Sequence, residues 1–186
     1  MRREELVSRQ GSVFQGFDDT EIPAGIGIRH GKVRDILDLG DSLIIVTTDR
    51  ISAFDRVLAT IPCKGQVLNE ISLYWFGETG GIIRNHIMEP VSPRAVRVRK
   101  CSVLPVEVVV RGYLTGSAWR DYAAGNPVSG IRLPKGMRKD QRFDEPLITP
   151  STKAEIGLHD VPISAEQIVS SGMVPAGVWK EVERAA

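Results

Sequence analysis

From Gly25 to Asp49, apolar and polar residues alternate through GIGIRHGKVRDILDLGDSLIIVTTD, with turn pairs at His30-Gly31 and Gly40-Asp41. A period of two predicts strands that bury one face, so three antiparallel strands are expected at roughly 26–30, 33–39 and 42–48. RISAFDRVLATIPCKG reads as a strand and a loop. In GQVLNEISLYWFGETGG the spacing becomes helical: Leu68, Ile71, Leu73, Trp75 and Phe76 form an apolar stripe, stopped by Gly77 and Gly80-Gly81. AVRVRKCSVLPVEVVVRGYLT predicts two more strands joined around Leu104-Pro105. SAWRDYAAG predicts a short helix with Ser117 near its start and Gly125 as its stop. Trp119 and Tyr122, like Trp75 and Phe76, fall at core spacing.

The flanks are less regular. Residues 1–24 are polar and predict a loose arm with one short helical turn. Between Asn126 and Ser164 runs a charged, Pro/Gly-rich stretch, and an unstructured loop of that length in a compact domain is expected only where it is functional. Ser164 and Gln167 have capping-box spacing for a short helix. VPAGVWKEVERAA predicts a final helix with Pro175 near its first position. The chain contains no internal repeat.

With 42% hydrophobic residues among 186, the chain has material for a core and is expected to be globular. A formal net charge of +1 argues against a nucleic-acid or membrane-surface binder, but leaves local basic pockets open. The run Lys135, Arg138, Lys139, Arg142 accordingly reads as a solvated face. Cys63 and Cys101 lack metal-ligand spacing and read as buried free thiols. The opening MRREELVSRQGS has no apolar signal region and no apolar run approaches membrane-spanning length, so a cytoplasmic protein is expected.

Several segments carry candidate chemistry. In RHGKVRD, Gly31 at a tight turn lets backbone N–H groups approach a phosphate, and Lys32 and Arg34, two apart, point to one face. A hairpin with a solvated basic face has the same pattern. VVVRGYLTGS ends a strand with Arg111 and follows it with Ser117 at a helix start, an arrangement suited to gripping a phosphate or carboxylate. The alternative is an Arg111–Asp121 pair with Ser117 only capping. Asp49 and Asp55 flank RISAF, where they hold a metal or pair locally with Arg50 or Arg56. PSTKAEIGLHD packs Lys153, Glu155, His159 and Asp160 into a polar stretch, suiting either a binding loop or a solvated one. His30 and His86 have no partners at ligand spacing and read as structural.

Taken in order, GKVRD (31–35), TDRISAFD (48–55), IPCKGQVLN (61–69), VRGYLTGS (110–117) and TPSTKAE (149–155) resemble the SAICAR synthetase family of purine biosynthesis, over about residues 25–163. The resemblance implies an ATP-dependent ligase that joins carboxyaminoimidazole ribonucleotide to L-aspartate through an acyl phosphate, with Mg2+, releasing ADP and phosphate. It implies an α+β fold of two lobes: an antiparallel β-rich nucleotide lobe over 1–104, including the N-terminal arm, and a mixed α/β substrate lobe over 105–186. Gly31, Lys32 and Arg34 match the family's phosphate-facing hairpin, and Val103 and Leu104 fall where the connection meets adenine. Arg111 and Ser117 match the pair holding the ribonucleotide, while Lys153 and Asp160 fall toward the aspartate or reacting carboxylate. Lys32, Arg111 and Lys153 are the expected catalytic cations.

Two departures from the family pattern stand out. Where the family reads GEHDEN, this chain has Gly157-Leu158-His159-Asp160-Val161-Pro162. The family's later Lys-x-Glu-Phe-Gly and Asp-Glu segments, which carry its metal-binding acids, have no counterpart, so no metal ligand is assigned. A synthetase lacking its C-terminal part is therefore expected, with an incomplete second lobe, impaired turnover and exposed apolar patches that favour homo-oligomers. Two other readings stay open: a non-catalytic remnant that binds nucleotide or partner subunits, and a small-molecule kinase.

Overall fold

The structure, a computed structural model, describes residues 13–53, 56–153 and 160–186. Asp55, Glu155, Leu158 and His159, together with the first half of the expected N-terminal arm, lie outside the described residues. The chain divides into two compact units between Ser102 and Val103.

The first unit is built on a five-stranded sheet of order β1-β2-β3-β7-β6. The alternating stretch forms β1 (Gly27–His30), β2 (Arg34–Asp38) and β3 (Ser42–Thr47), paired antiparallel as expected. Where a strand and a loop were expected there are two paired strands, β4 (Arg50–Ala53) running antiparallel to β5 (Arg56–Thr60). β7 (Ala95–Arg99) pairs with β3 and brings Val96 and Val98 into the core. The sheet's edge, β6 (Ile87–Ser92), is absent from the sequence expectation. Pro90 and two register shifts interrupt it, and almost all of it is exposed, so no alternation marks it.

Helix α1 (Lys64–Glu78) spans the expected segment but turns a different face inward. Leu68, Ile71 and Trp75 are exposed, while Gly65 and Asn69, one turn apart, are buried. Backbone contact selects this face: Gly65 lies against the carbonyl of Thr47, and the Asn69 side-chain amide donates to the Pro93 carbonyl at 3.1 Å. Cys63, just before the helix, is buried; Cys101 is exposed, contrary to the expectation.

The N-terminal segment is docked from Phe14 onward. Phe14 N donates to Asp49 and Phe17 N to Asp35, both carboxylates being fully buried, and the Phe14 ring lies 4.9 Å beneath the Arg94 guanidinium. A 3₁₀ turn, Asp19–Glu21, follows, closed by a capping box between Asp18 and Glu21.

The second unit centres on a two-stranded antiparallel ribbon, β8 (Val106–Tyr113) with β9 (Arg142–Thr152). The long Pro/Gly-rich stretch is thus not all loop. Pro146 and Pro150 disguise β9 in the sequence, yet a strand paired on one side only tolerates residues without an N–H. Helix α2 (Gly116–Ala123) ends before Gly125, whose φ of +79° makes the expected stop. Leu114, Ala118, Val128 and Phe143 form one core, flanked by Trp119 and Tyr122. Val106, Ile168, Val174 and Trp179 form another, between the ribbon, α3 (Ala165–Ser170) and α4 (Ala176–Ala185). The Ser164–Gln167 capping box starts α3 as predicted. No described helix is long and apolar enough to cross a membrane.

Candidate functional site

In the second unit the alternation of β8 separates its two tasks. Val106 and Val108 face the core, whereas Val109 and Arg111 line a cleft of about 330 Å³. Thr149 and Ser151 on β9 reach the same cleft, as do Ser117 on α2 and Asp160. The Thr149 hydroxyl donates to the Val109 carbonyl at 2.9 Å, committing its proton, so its lone pair faces Arg111 Nε at 3.0 Å. Arg111 Nη2 donates to Ser117 Oγ at 2.9 Å. Two hydroxyls therefore fix the plane of the guanidinium, and both are neutral.

The Arg111 fork is not paired with Asp121, and Ser117 does not cap α2, because its hydroxyl serves the arginine. Neither hydroxyl neutralises the guanidinium, which keeps its positive charge at the cleft wall. Nothing in the sequence marks Thr149 as the second brace, since its partner lies 38 residues away and only strand pairing joins them. Ser129 was also missed: buried, at φ +46°, it donates to the Pro150 carbonyl at the cleft wall.

Lys153 is exposed just beyond β9, its N–H donating to the Pro105 carbonyl, and it is not among the residues lining the cleft. Val103 is exposed, and Leu104 packs beside the Val106–Trp179 core.

In the first unit, Gly31 closes the β1–β2 turn by donating to the Arg34 carbonyl at 2.7 Å. Lys32 sits in that turn, not on a strand, and Arg34 opens β2. Behind the turn lies Asp35, fully buried, with its Oδ1 2.8 Å from Arg50 Nη2 and 3.1 Å from His30 Nδ1. Burial pushes the Asp35 carboxyl up, but the Arg50 guanidinium, the Phe17 amide and His30 outweigh it and hold the group below its ordinary range. Hydrogen bonds to Asp19 and then Asp35 raise the His30 pKa. Burial, aided by the charge of Arg34, lowers that of His86.

Asp49 pairs with neither neighbour in sequence. It accepts Phe14 N, Gly65 N and Arg94 Nη1, anchoring three segments of the unit. Among the described residues there is no group of three His, Cys, Asp or Glu side chains that could hold a metal ion.

An antiparallel sheet that carries a braced basic turn, and a two-stranded ribbon whose arginine is held by two hydroxyls in a cleft, define an α+β protein. The family model described as SAICAR synthetase matches residues 27–186. This chain belongs to the SAICAR synthetase family. Phosphoribosylaminoimidazole-succinocarboxamide synthase of Legionella pneumophila strain Lens is 48% identical over 168 residues, covering 88% of this chain and 53% of its own length. The chloroplastic synthase of Vigna aconitifolia is 45% identical over 189 residues, covering 97% and 55%. SAICAR synthase of Saccharomyces cerevisiae, solved in complex with SAICAR, superposes with a TM-score of 0.78 at 32% identity, over 91% of this chain and 62% of that one. A SAICAR synthetase solved with ADP gives 0.67 at 25% identity, over 86% and 64%. The chain spans about half the length of the curated relatives it matches. The fold is the α+β fold of these synthases.

Proposed function

We propose that this chain carries the ATP and ribonucleotide contacts of an amide-forming ligase. The reaction joins carboxyaminoimidazole ribonucleotide to L-aspartate and yields ADP and phosphate. The observation that carries this reading is the Arg111 fork, braced by Ser117 and Thr149 in a cleft, in a chain of this family.

In the proposed chemistry a carboxylate oxygen of the ribonucleotide attacks the γ-phosphorus of ATP and ADP departs. The aspartate amine then attacks the acyl carbon, loses a proton, and expels phosphate. Both steps gather charge on oxygens, so fixed cations and N–H groups matter more than a strong acid or base. Arg111 would hold the ribonucleotide's anionic end, with Ser117 keeping the fork in plane. Gly31, Lys32 and Arg34 would meet the ATP phosphates, with Val103 and Leu104 toward adenine. Lys153 and Asp160 would serve the aspartate and reacting-carboxylate end. Mg2+ accompanies ATP in such a reaction, but the described residues offer no cage for it, so no step is assigned to it here.

The test is ADP release by this protein with ATP, Mg2+ and carboxyaminoimidazole ribonucleotide, with and without L-aspartate. Aspartate-dependent release supports the ligase. Aspartate-independent release with a phosphorylated product would replace it with a kinase. Nucleotide binding without release would leave a chain that holds substrates and does not turn over.

A further inference from the structure

We propose that Arg50 is a positioning residue that aims the backbone of the Gly31–Lys32 turn at the nucleotide phosphates; this rests on the reading that the turn faces them. Three successive carbonyls of the turn are taken by two residues, Thr48 and Arg50, that flank Asp49. Arg50 Nη2 donates to Gly31 O at 2.9 Å and Nε to Lys32 O at 3.2 Å. Thr48 donates to Val33 O from both its N–H, at 3.1 Å, and its hydroxyl, at 2.9 Å. Asp49, between them, is the buried anchor that keeps this stretch in place.

The consequence is geometric. A trans peptide plane points its C=O and the next residue's N–H in opposite directions. With the Gly31 and Lys32 carbonyls turned onto one guanidinium, the N–H groups of Lys32 and Val33 point away from it. Two successive amides so aimed are the elements of an anion-binding concavity, and the Lys32 side chain leaves the backbone between them. The guanidinium is itself immobilised by the buried Asp35 carboxylate at 2.8 Å and by the Gln15 carbonyl. Gly16 lets the N-terminal segment close over this pair, since a Cβ there would collide with both Asp35 and Arg50. A lysine could neutralise Asp35 but could not hold two carbonyls in a fixed plane.

The experiment measures ADP, ATP and adenosine affinity by calorimetry for the full chain, R50K, K32A and R50K/K32A, with circular dichroism to establish folding. A fourth variant, T48V, keeps the backbone bond to Val33 and removes only the hydroxyl. R50K should weaken ADP and ATP about tenfold while adenosine changes less than about twofold. The double variant should lose less than the product of the single losses, because Arg50 acts through the turn that carries Lys32. T48V should shift phosphate-dependent affinity in the same direction by a smaller factor and stay folded. If folded R50K and T48V lose thermal stability but keep ADP affinity, or lose ADP and adenosine equally, Arg50 is only a structural brace and the inference falls. Wild-type protein that binds ADP no better than adenosine would overturn the phosphate-facing reading itself, and this inference with it.

Discussion

The amide nitrogen of Gly65 lies 2.8 Å from Oδ1 of Asp49, and the helix reaches this bond only because residue 65 has no side chain. A Cβ at Gly65 would be driven into the carbonyl of Thr47 on β3. In the same helix Gly77 has open space around its missing Cβ. Alanine should therefore act with opposite signs. Gly65→Ala should destabilise the first unit by about 3 kcal/mol through overpacking and loss of the Asp49 bond. Gly77→Ala should be neutral or stabilise by up to about 1 kcal/mol through helix propensity. Urea unfolding of both variants checks this, and equal effects would show that helix propensity alone governs α1.

His30 predicts a pH dependence. Its ring nitrogens lie 2.9 Å from Asp19 and 3.1 Å from Asp35, so both need protons, and its pKa is raised above the ordinary value near 6.5. A raised folded pKa means stability that is full below the unfolded pKa and lost as pH rises through the folded one. The stability difference between wild type and His30→Gln should therefore shrink as pH is raised from about 6 to about 9. Asp35 works in the other direction: its depressed pKa gives stability present above the ordinary carboxylate range and lost as pH falls through the folded value. A difference that stays constant from pH 6 to 9 would mean that His30 carries no extra proton in the folded state.

The legible parts of the fold were those where a residue's environment is set by its near neighbours. ILDL and SLIIVT read as strands because each is a short apolar-rich run bounded by the Gly31 or Gly40-Asp41 turn, and Gly125 and the Ser164–Gln167 pair act within a single turn. Arg111 and Ser117 lie six residues apart and meet across one strand end, so their partnership could be anticipated. The missed features depend on distant backbone. The inward face of α1 is chosen by Thr47 and Pro93 rather than by apolar content, and β6 and β9 carry prolines that only edge positions tolerate. Arg50 looked like the partner of its neighbour Asp49, but its side chain reaches Asp35, Gly31 and Lys32, 15 to 19 residues away in sequence.

Arg111→Ala should weaken carboxyaminoimidazole ribonucleotide binding by at least about tenfold and leave ADP binding nearly unchanged. Arg111→Lys should not restore it, because a point charge cannot reproduce a fork held by Ser117 and Thr149. Titration of each variant with both ligands decides the matter. Comparable loss of ribonucleotide and ADP affinity would make Arg111 a support for the fold.

The capping box at α3 should also be measurable. Ser164 Oγ accepts from Gln167 N at 3.2 Å, and Gln167 Oε1 accepts from Ser164 N at 3.0 Å. A six-residue helix has little stability of its own, yet it must deliver Ile168 to the centre of the second core. Ser164→Ala should cost about 1 kcal/mol. A thermal midpoint equal to that of wild type would show that Ile168 burial alone fixes α3.

Tyr122 ties the segment after α2 to the second unit by one oxygen. Its hydroxyl accepts Met137 N at 2.9 Å and donates to the Pro134 carbonyl at 2.8 Å, while its ring packs beside Leu114 and Phe143. The residues between Pro127 and Met137 have only a short β-bridge, Val128 with Ile131, of their own. Ser129 near the start of this segment is also held by a bond to the Pro150 carbonyl, so it is the Pro134–Met137 end whose path depends on this phenol. Tyr122→Phe keeps the ring and deletes both hydrogen bonds, so its effect isolates the oxygen. A loss of about 1.5 kcal/mol is expected, together with faster amide exchange at Met137, whose N–H is left with no side-chain acceptor. The Arg111 cleft takes Val128 and Ser129 from the start of this segment, but Ser129 is held there separately by its bond to the Pro150 carbonyl, so ribonucleotide affinity should not follow the loss of stability. If affinity falls in step with stability, the 127–137 segment and the cleft unfold as one cooperative unit.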